Sequence, residues 1–394
     1  GESHGYDKDK KRNHAWPYRD YVIEAFNDDR PYSQFVAEQV AGDILRPGEL
    51  EGIVATGFIT AGPWDFVGHV ELREGTADKL KTRAIDRDDM VATTMSTFNS
   101  LTAHCARCHD HPFDPIPQQE YYQLQAVFAG IDRGDRNCDS PELKQQRAEL
   151  TAQRDAARQK VDAAKAEAGE TKSETVSQLE AELGTCESAL AALPAPHLVY
   201  AAMPIAPRPV HLLHRGDVEQ PHEEVTPGAL SALAGLERQF VLSDGANEGE
   251  RRVALARWLT SDENVLTWRS IVNRVWHYHF GRGLVDTPND FGRNGSRPSH
   301  PELLDWLAVE FRDGGQSLKA LHRLMVTSTV YRQSSRDDAQ ARMADADNRL
   351  LWRMSRRRLE AEEVRDTLLA VSGKLDTTMG GPSFELFAFE DDHS

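Results

Sequence analysis

The feature that most constrains this chain is one short run, His104-Cys105-Ala106-Arg107-Cys108-His109-Asp110-His111-Pro112-Phe113-Asp114-Pro115-Ile116. Inside it lies Cys-x-x-Cys-His. Two thiols one helical turn apart can form thioethers to the two vinyl groups of a porphyrin, and the imidazole that follows then lies under the iron as an axial ligand. The spacing therefore points to covalently held haem c, with Cys105 and Cys108 as attachment points and His109 as the ligand of the iron. Three other readings of the same residues stay open. A zinc site could use the two thiols and a His, although zinc ligands are ordinarily separated by roughly two to five residues and Cys108 and His109 are adjacent. A thioredoxin-like redox pair would need a βαβ context, which the flanking sequence lacks. A chance match would hold no cofactor at all.

The rest of the composition narrows the setting. A chain of 394 residues is long enough for two or three domains with substantial cores. Its net charge of −17 repels a nucleic-acid backbone, so no nucleic-acid partner is expected. No apolar run approaches the ~20 residues of a membrane-spanning helix. Four Cys are too few for a disulfide scaffold. The chain opens on Gly1 and not on Met, which suggests a processed or excised piece in which a signal peptide would not be visible. Covalent haem attachment takes place outside the cytoplasmic membrane, so the haem reading carries with it a periplasmic or extracellular location.

The patterning is mainly α. Trp16-Pro17-Tyr18-Arg19-Asp20 sets a Pro at a helix start, and Tyr21, Val22, Ala25 and Phe26 follow at helical spacing. A second helix is expected from Arg30-Pro31 to Gly42, an irregular Gly-rich stretch over 53–80, and a third helix over about 86–103 that delivers the chain to the Cys pair. Pro117 begins another. Residues 141–193 contain no aromatic residue, and Val176, Leu179, Leu183, Cys186, Leu190 and Leu193 step close to a heptad seam. They predict two antiparallel helices with a tip near Gly169–Lys172. Residues 194–250 are Pro-rich, with short strands expected near His197–Ala202 and Pro209–Leu213 and a turn-like cluster at His214-Arg215-Gly216-Asp217. Helical spacing returns at 251–335, with a last helix over about 347–372 and a peripheral tail. The expected architecture is thus two helical domains around a c-type haem with a protruding antiparallel helical hairpin. Its divisions fall at 1–140, 141–193 (the hairpin), 194–250 (linker and ordered loop) and 251–394.

At this level the motifs carry a family resemblance. Trp16 to Asp20, Ala25-Phe26-Asn27, Gln39-Val40-Ala41-Gly42-Asp43 and Cys105 to Pro115 resemble the cytochrome-like domain of the large planctomycete-type cytochrome c family. Asn273-Arg274-Val275-Trp276, His279 to Val285, Asp290-Phe291-Gly292, His300 to Leu307, Tyr331 to Ser335 and Arg356 to Glu362 resemble that family's C-terminal partner domain. The resemblance covers nearly everything except the hairpin. It implies an extracytoplasmic haem protein, often considered alongside polysaccharide use. The first domain is expected to be truncated at its front, and a further cytochrome module that such proteins often carry is absent from this sequence.

These readings name candidate residues. Asp110 and Asp114 flank the motif, where a carboxylate can orient a ligating His through its second ring nitrogen; the alternative for Asp114-Pro115 is simple turn chemistry. His111 stands too close to His109 to reach the far side of an iron, which leaves His279, His300 or a Met as distant candidates for a sixth ligand. His279, Asp290 and His300 are the candidate catalytic groups of the C-terminal domain, with a Ser299–Glu302 capping box as the alternative role near His300. Arg357, within the run Arg353, Arg356, Arg357 and Arg358, is a candidate partner for haem propionates or an anionic sugar, against an ion-paired helix face. The function expected is redox chemistry: electron transfer with a partner protein, or oxidation of a carbohydrate-related small molecule. The alternatives are a metal-dependent hydrolase or carbohydrate-active enzyme built on the His and Asp groups of the second domain, and a haem-stabilised scaffold whose hairpin binds a partner.

The two remaining thiols yield a test. With the tip near Gly169–Lys172, Cys186 lies about a dozen residues up the second helix, ~18 Å from the tip, and Cys138 precedes the first helix, which runs ~40 Å from it, at about 1.5 Å per residue. That separation of about 20 Å exceeds the roughly 4–7 Å that bridged Cα atoms tolerate. Non-reducing peptide mapping should therefore find no Cys138–Cys186 link; a linked pair of peptides would overturn the placement of the tip.

Overall fold

The computed structural model describes the chain apart from residues 1, 7, 169–173, 244 and 383–394. As the patterning indicates, it is mainly helical. The helices of the first third are α1 (Trp16–Asn27), α2 (Tyr32–Leu45), α3 (Leu50–Ala55), α4 (Gly57–Thr60), α5 (Ala77–Thr94) and α6 (Gln118–Val127). Next come α7 (Pro141–Ala168) and α8 (Glu174–Ala192), then α9 (Glu248–Leu259), α10 (Val265–Phe280), α11 (Pro301–Asp313), α12 (Leu318–Thr327), α13 (Thr329–Arg332), α14 (Ala339–Ala344) and α15 (Ala361–Val371). Strand β1 (Ile131–Asn137) pairs with β2 (Leu198–Pro204), and β3 (His211–Leu213) pairs antiparallel with β4 (Pro221–Glu224).

Several helix limits differ from those the sequence suggests, each for a local reason. Helix α2 does not end at Gly42. It kinks at Ala41 and continues to Leu45. Gly42 is there for packing: a Cβ on it would stand 2.6 Å from the carbonyl oxygen of Gly52 in α3, so only glycine lets the two backbones approach. Helix α5 starts at Ala77, well before residue 86. Thr76 caps it by accepting from the Lys79 amide, and its inward face carries Lys79, Thr82 and Asp86, polar residues that conceal the apolar stripe. Its π-helical extension Met95–Asn99 stops at Ser100, whose φ of 52° is left-handed. The helix expected over 347–372 is confined to α15. Asn348 and Leu351 take left-handed φ, the Asn348 amide donates to the Arg353 carbonyl and to Ser355, and the Asp345 carboxylate accepts from the amides of Arg349 and Leu350. These side-chain bonds hold the backbone in turns that compete with a helix. At α11 the N-cap is His300 and not Ser299, whose hydroxyl faces the Leu284 carbonyl and the His300 ring.

The chain divides into two compact units, residues 1–134 with those from 200 onward, and residues 135–199. In the smaller unit α7 and α8 pack on each other, with Ala157 and Val161 buried and ion pairs from Lys165 to Glu180 (2.8 Å) and Arg158 to Glu187 (3.7 Å). Val176, Leu179, Leu183, Cys186 and Leu190 are half-buried on α8, matching the seam spacing. The tip expected at Gly169–Lys172 lies outside the described residues. All four cysteines carry free thiols.

In the larger unit the two halves of the sequence share one core. Tyr32 of α2 packs against Trp268 and Phe311. Asn99 donates to Asn264 and Thr267, and the Ser100 hydroxyl meets Ser270 and the Pro288 carbonyl, all buried. The deepest link is Arg252 of α9, a fully buried guanidinium. Its five donors go to Asp43 (2.7 and 3.2 Å), Glu248 (2.7 and 3.0 Å) and the Val40 carbonyl (3.1 Å). No described helix is long and apolar enough to cross a membrane.

Removing one member of a buried charge cluster strands the others without compensation, at a cost of roughly 3–5 kcal/mol. Arg252→Ala should lower the free energy of urea unfolding by about that amount. A loss below ~1 kcal/mol would show that the guanidinium is not a keystone of the packing between α2 and α9.

Candidate functional site

The Cys pair sits on a 3₁₀ turn, Ala103–Arg107, reached directly after the left-handed Ser100. With three residues per turn, positions three apart share a face. Ala103 and Ala106 therefore point inward, both fully buried, while Cys105 and Cys108 point outward together with His104, His109 and Asp110. The base of the turn is fixed. The Arg107 carbonyl accepts from Tyr122 Oη and from Gln118 Nε2 (both 2.9 Å), and the same Gln118 amide donates to the Leu213 carbonyl of β3 (3.0 Å). The turn after β3 presses on the second thiol: a Cβ added to Gly216 would lie 3.1 Å from Cys108 Sγ.

His109 Nδ1 lies 2.6 Å from the Asp110 carbonyl. A carbonyl only accepts, so Nδ1 carries the proton and the lone pair is on Nε2. This is the tautomer an iron ligand needs, and it is set by backbone and not by a neighbouring carboxylate. The Asp110 carboxylate instead accepts from the Gln118 amide at the start of α6 (2.8 Å). Asp114 is buried and accepts from the Arg293 amide (2.7 Å), so it ties the motif's loop to the second half of the sequence. His111 is also buried. Its Nδ1 accepts from the amides of Asp114 and Phe113, and its Nε2 faces Thr102. Two outward thiols on one face of a turn, followed by an imidazole with Nε2 unencumbered, fit the donor set of a covalently attached haem.

A cavity of about 440 Å³ borders the turn at His104. Its wall includes Pro63, Ile85 and Ala92 as well as Asp86, Asp88 and Asp89. The acids are partnered. Asp86 and Asp89 face Arg133 (2.8 and 2.7 Å), and Asp88 takes the Tyr121 hydroxyl and Arg107. Burial outweighs Arg133 and holds the Asp86 carboxyl up at about 6. Burial, with Lys79 nearby, pushes His69 in the same wall down to about 4, so its ring, stacked on Trp64, is neutral.

The candidate residues of the second half are dispersed. His279 shares a 2.7 Å hydrogen bond with His322 and an edge contact with Tyr331. The Asp290 carboxylate accepts from the Gly292 amide within its own loop, and His300 meets Ser299. None of the three touches another through these bonds. Arg357 pairs with Glu363 (3.0 Å) and faces the Tyr278 carbonyl, and Arg353 pairs with Asp337. Among the described residues no group of three or more His, Cys, Asp or Glu side chains is gathered as around a bare metal ion. Sequence reasoning missed Gln118 and Gly216, which brace the motif. For Gly216 the turn-like cluster at 214–217 was the available signal, but its proximity to Cys108 is a long-range fact.

The depressed His69 makes a pH test. Its folded value lies below its unfolded one, so between about pH 6.5 and pH 4 the unfolded chain binds more protons at this site, and stability falls as pH drops through that window. A His69→Gln variant should lose less stability than the parent between pH 6.5 and pH 4 in parallel urea titrations. An equal or greater loss would place the titration of His69 elsewhere.

Two family profiles match the chain. Residues 1–133 match PSCyt2, described as a protein of unknown function (DUF1549), and residues 251–394 match PSD1, also described as a protein of unknown function (DUF1553). No curated protein and no solved structure matches it. The two matches, one at each end of the chain and in this order, support its placement in the planctomycete-type family that its motifs resemble.

Proposed function

We propose that this chain is an extracytoplasmic c-type haem protein, that Cys105 and Cys108 carry the porphyrin, and that His109 ligates the iron through Nε2. The observation that carries the reading is the motif's geometry: two free, outward thiols on one face of a 3₁₀ turn, and an imidazole whose Nδ1–H is held by the Asp110 carbonyl. Haem bound there would supply one-electron chemistry. The chain's own part is to fix the turn through Gln118 and Tyr122, to set the His109 tautomer and to leave one edge of the site open. An edge at the surface suits electron transfer, because a partner protein can approach it closely. The cavity at His104 has the size of a small-ligand site, about 300–1,000 Å³ in general, and would admit a small substrate, such as a carbohydrate-derived one, beside the same edge. In this reading the helices of residues 141–192 form a helical hairpin, and the protein resides in the periplasm or outside the cell. The dispersal of His279, Asp290 and His300 gives no support to the hydrolase alternative.

Native protein, extracted with acid-acetone and then examined as the pyridine haemochrome, should retain a haem c spectrum. Replacing both Cys105 and Cys108 by Ala should abolish haem staining after denaturing electrophoresis, and His109→Ala should shift the Soret band. Native protein without a haemochrome band, or a double variant that stains undiminished, would overturn the proposal.

A further inference from the structure

The motif supplies one axial ligand; what stands on the other side of the iron decides whether the site transfers electrons or binds small molecules. His104 shares the turn with the thiols, its Nε2 only 4.0 Å from Cys105 Sγ, and cannot reach round a porphyrin attached there. Both ring nitrogens of His111 are engaged inside the loop. His279 is paired with His322, and His300 with Ser299. Met90 and Met95, on the helix leading to the motif, are fully buried.

The β3–β4 hairpin is different. Gln118 ties it to the motif by bridging the carbonyls of Arg107 and Leu213. Its turn then takes two successive left-handed residues, Arg215 (φ 51°) and Gly216 (φ 77°), which bring the Gly216 backbone against Cys108 Sγ. A side chain at 216 would occupy the space beside that sulfur. His214 precedes Gly216 by two residues, so its Cα lies within about 7 Å of the glycine's. His214 is exposed, and no hydrogen bond engages its ring among the described residues; its one ring neighbour is His222, with centroids 5.9 Å apart. The hairpin thus carries, two residues from the glycine that abuts Cys108 Sγ, an imidazole with no hydrogen-bond partner among the described residues, the Asp217 carboxylate being the one charge it is felt by.

We infer that His214 supplies the second axial ligand to the iron of a haem attached at Cys105 and Cys108. The inference rests on the haem reading above and deepens it: it makes the centre six-coordinate with two imidazoles, and hence an electron-transfer site closed to substrate at the metal. His222 stands behind His214 as its neighbour and not as a ligand.

The test uses the full chain matured with haem, in three forms: parent, His214→Ala and His222→Ala. The pyridine haemochrome first establishes haem content. The parent and His222→Ala should then give low-spin ferric spectra with the electron-paramagnetic-resonance signature of two imidazoles. His214→Ala should turn high-spin and return to low-spin on addition of free imidazole, with far-UV circular dichroism and melting temperature unchanged. His214→Met should stay low-spin with a raised reduction potential, since a thioether replaces an imidazole. Haem present with His214→Ala still low-spin, or His222→Ala turning high-spin, would overturn the assignment while leaving the haem reading intact. A high-spin parent would do the same. Absence of haem from the parent would overturn both.

Discussion

The larger unit depends on a charge that cannot reach water. Arg252 lies with no exposed surface between α9 and α2, and each of its five N–H donors meets an acceptor, four of the bonds going to the carboxylates of Asp43 and Glu248. Burying a guanidinium is costly, and only complete pairing offsets it. Opposite charge from Asp43 and Glu248 keeps the group firmly protonated even against the desolvation. Complete pairing is also directional. It requires α2 to expose the Val40 carbonyl at its kink and α9 to set Glu248 one turn before the arginine, so residues far apart in sequence must arrive together. The aromatic cluster of Tyr32, Trp268 and Phe311 could tolerate small shifts; the five-bond cage cannot.

From that anchor the constraint passes to the motif through buried polar links. Ser100, at the end of the extended α5, bonds Ser270 and the Pro288 carbonyl and accepts the Phe291 amide. Beyond the motif, Asp114 accepts the Arg293 amide. The segment carrying Cys105, Cys108 and His109 is therefore clamped at both ends by the loop of residues 287–293, which belongs to the second half of the sequence. Its inner residues are buried and its reactive residues lie outside. An exposed turn held this way keeps its side chains accessible without becoming mobile, because the groups that would fray are already satisfied by partners in the core.

How much of this was legible depended on whether the cause was local. The Pro-opened α1 and the seam spacing on α8 read directly, since each is a pattern over a few residues. The start of α5 did not, because Lys79, Thr82 and Asp86 face inward and are satisfied there by backbone carbonyls and Arg133, so the buried face is written in polar letters. Gly42 read as a stop when its role is close approach to Gly52, a partner no periodicity reveals. The segment before α15 has helical composition, yet Asn348 and Asp345 bond the backbone into turns. In the site, Asp114 flanks the motif in sequence but turns to Arg293, and the orientation of His109 comes from a carbonyl that the sequence does not mark.

The same division separates what the motif can decide from what it cannot. Residues 103–111 decide which side chains face outward and which nitrogen of His109 carries the proton, because the 3₁₀ turn sorts alanines inward and donors outward and the Asp110 carbonyl takes the Nδ1 hydrogen. They cannot decide what lies opposite the imidazole or how much water reaches the centre. Those properties belong to whatever the rest of the fold brings to the rim: the partnered acids and neutral His69 of the cavity on the His104 side, and the β3–β4 hairpin on the Cys108 side. The two sides differ in physical character. In the cavity wall Asp86 is buried and Asp86 and Asp89 are paired with Arg133, whereas the hairpin turn carries the exposed His214 and Arg215 and meets the motif at Gln118 and Gly216. Variation around a fixed Cys-x-x-Cys-His turn is therefore most accessible through the hairpin, where a changed side chain alters the surroundings of Cys108 without disturbing the core beneath the turn.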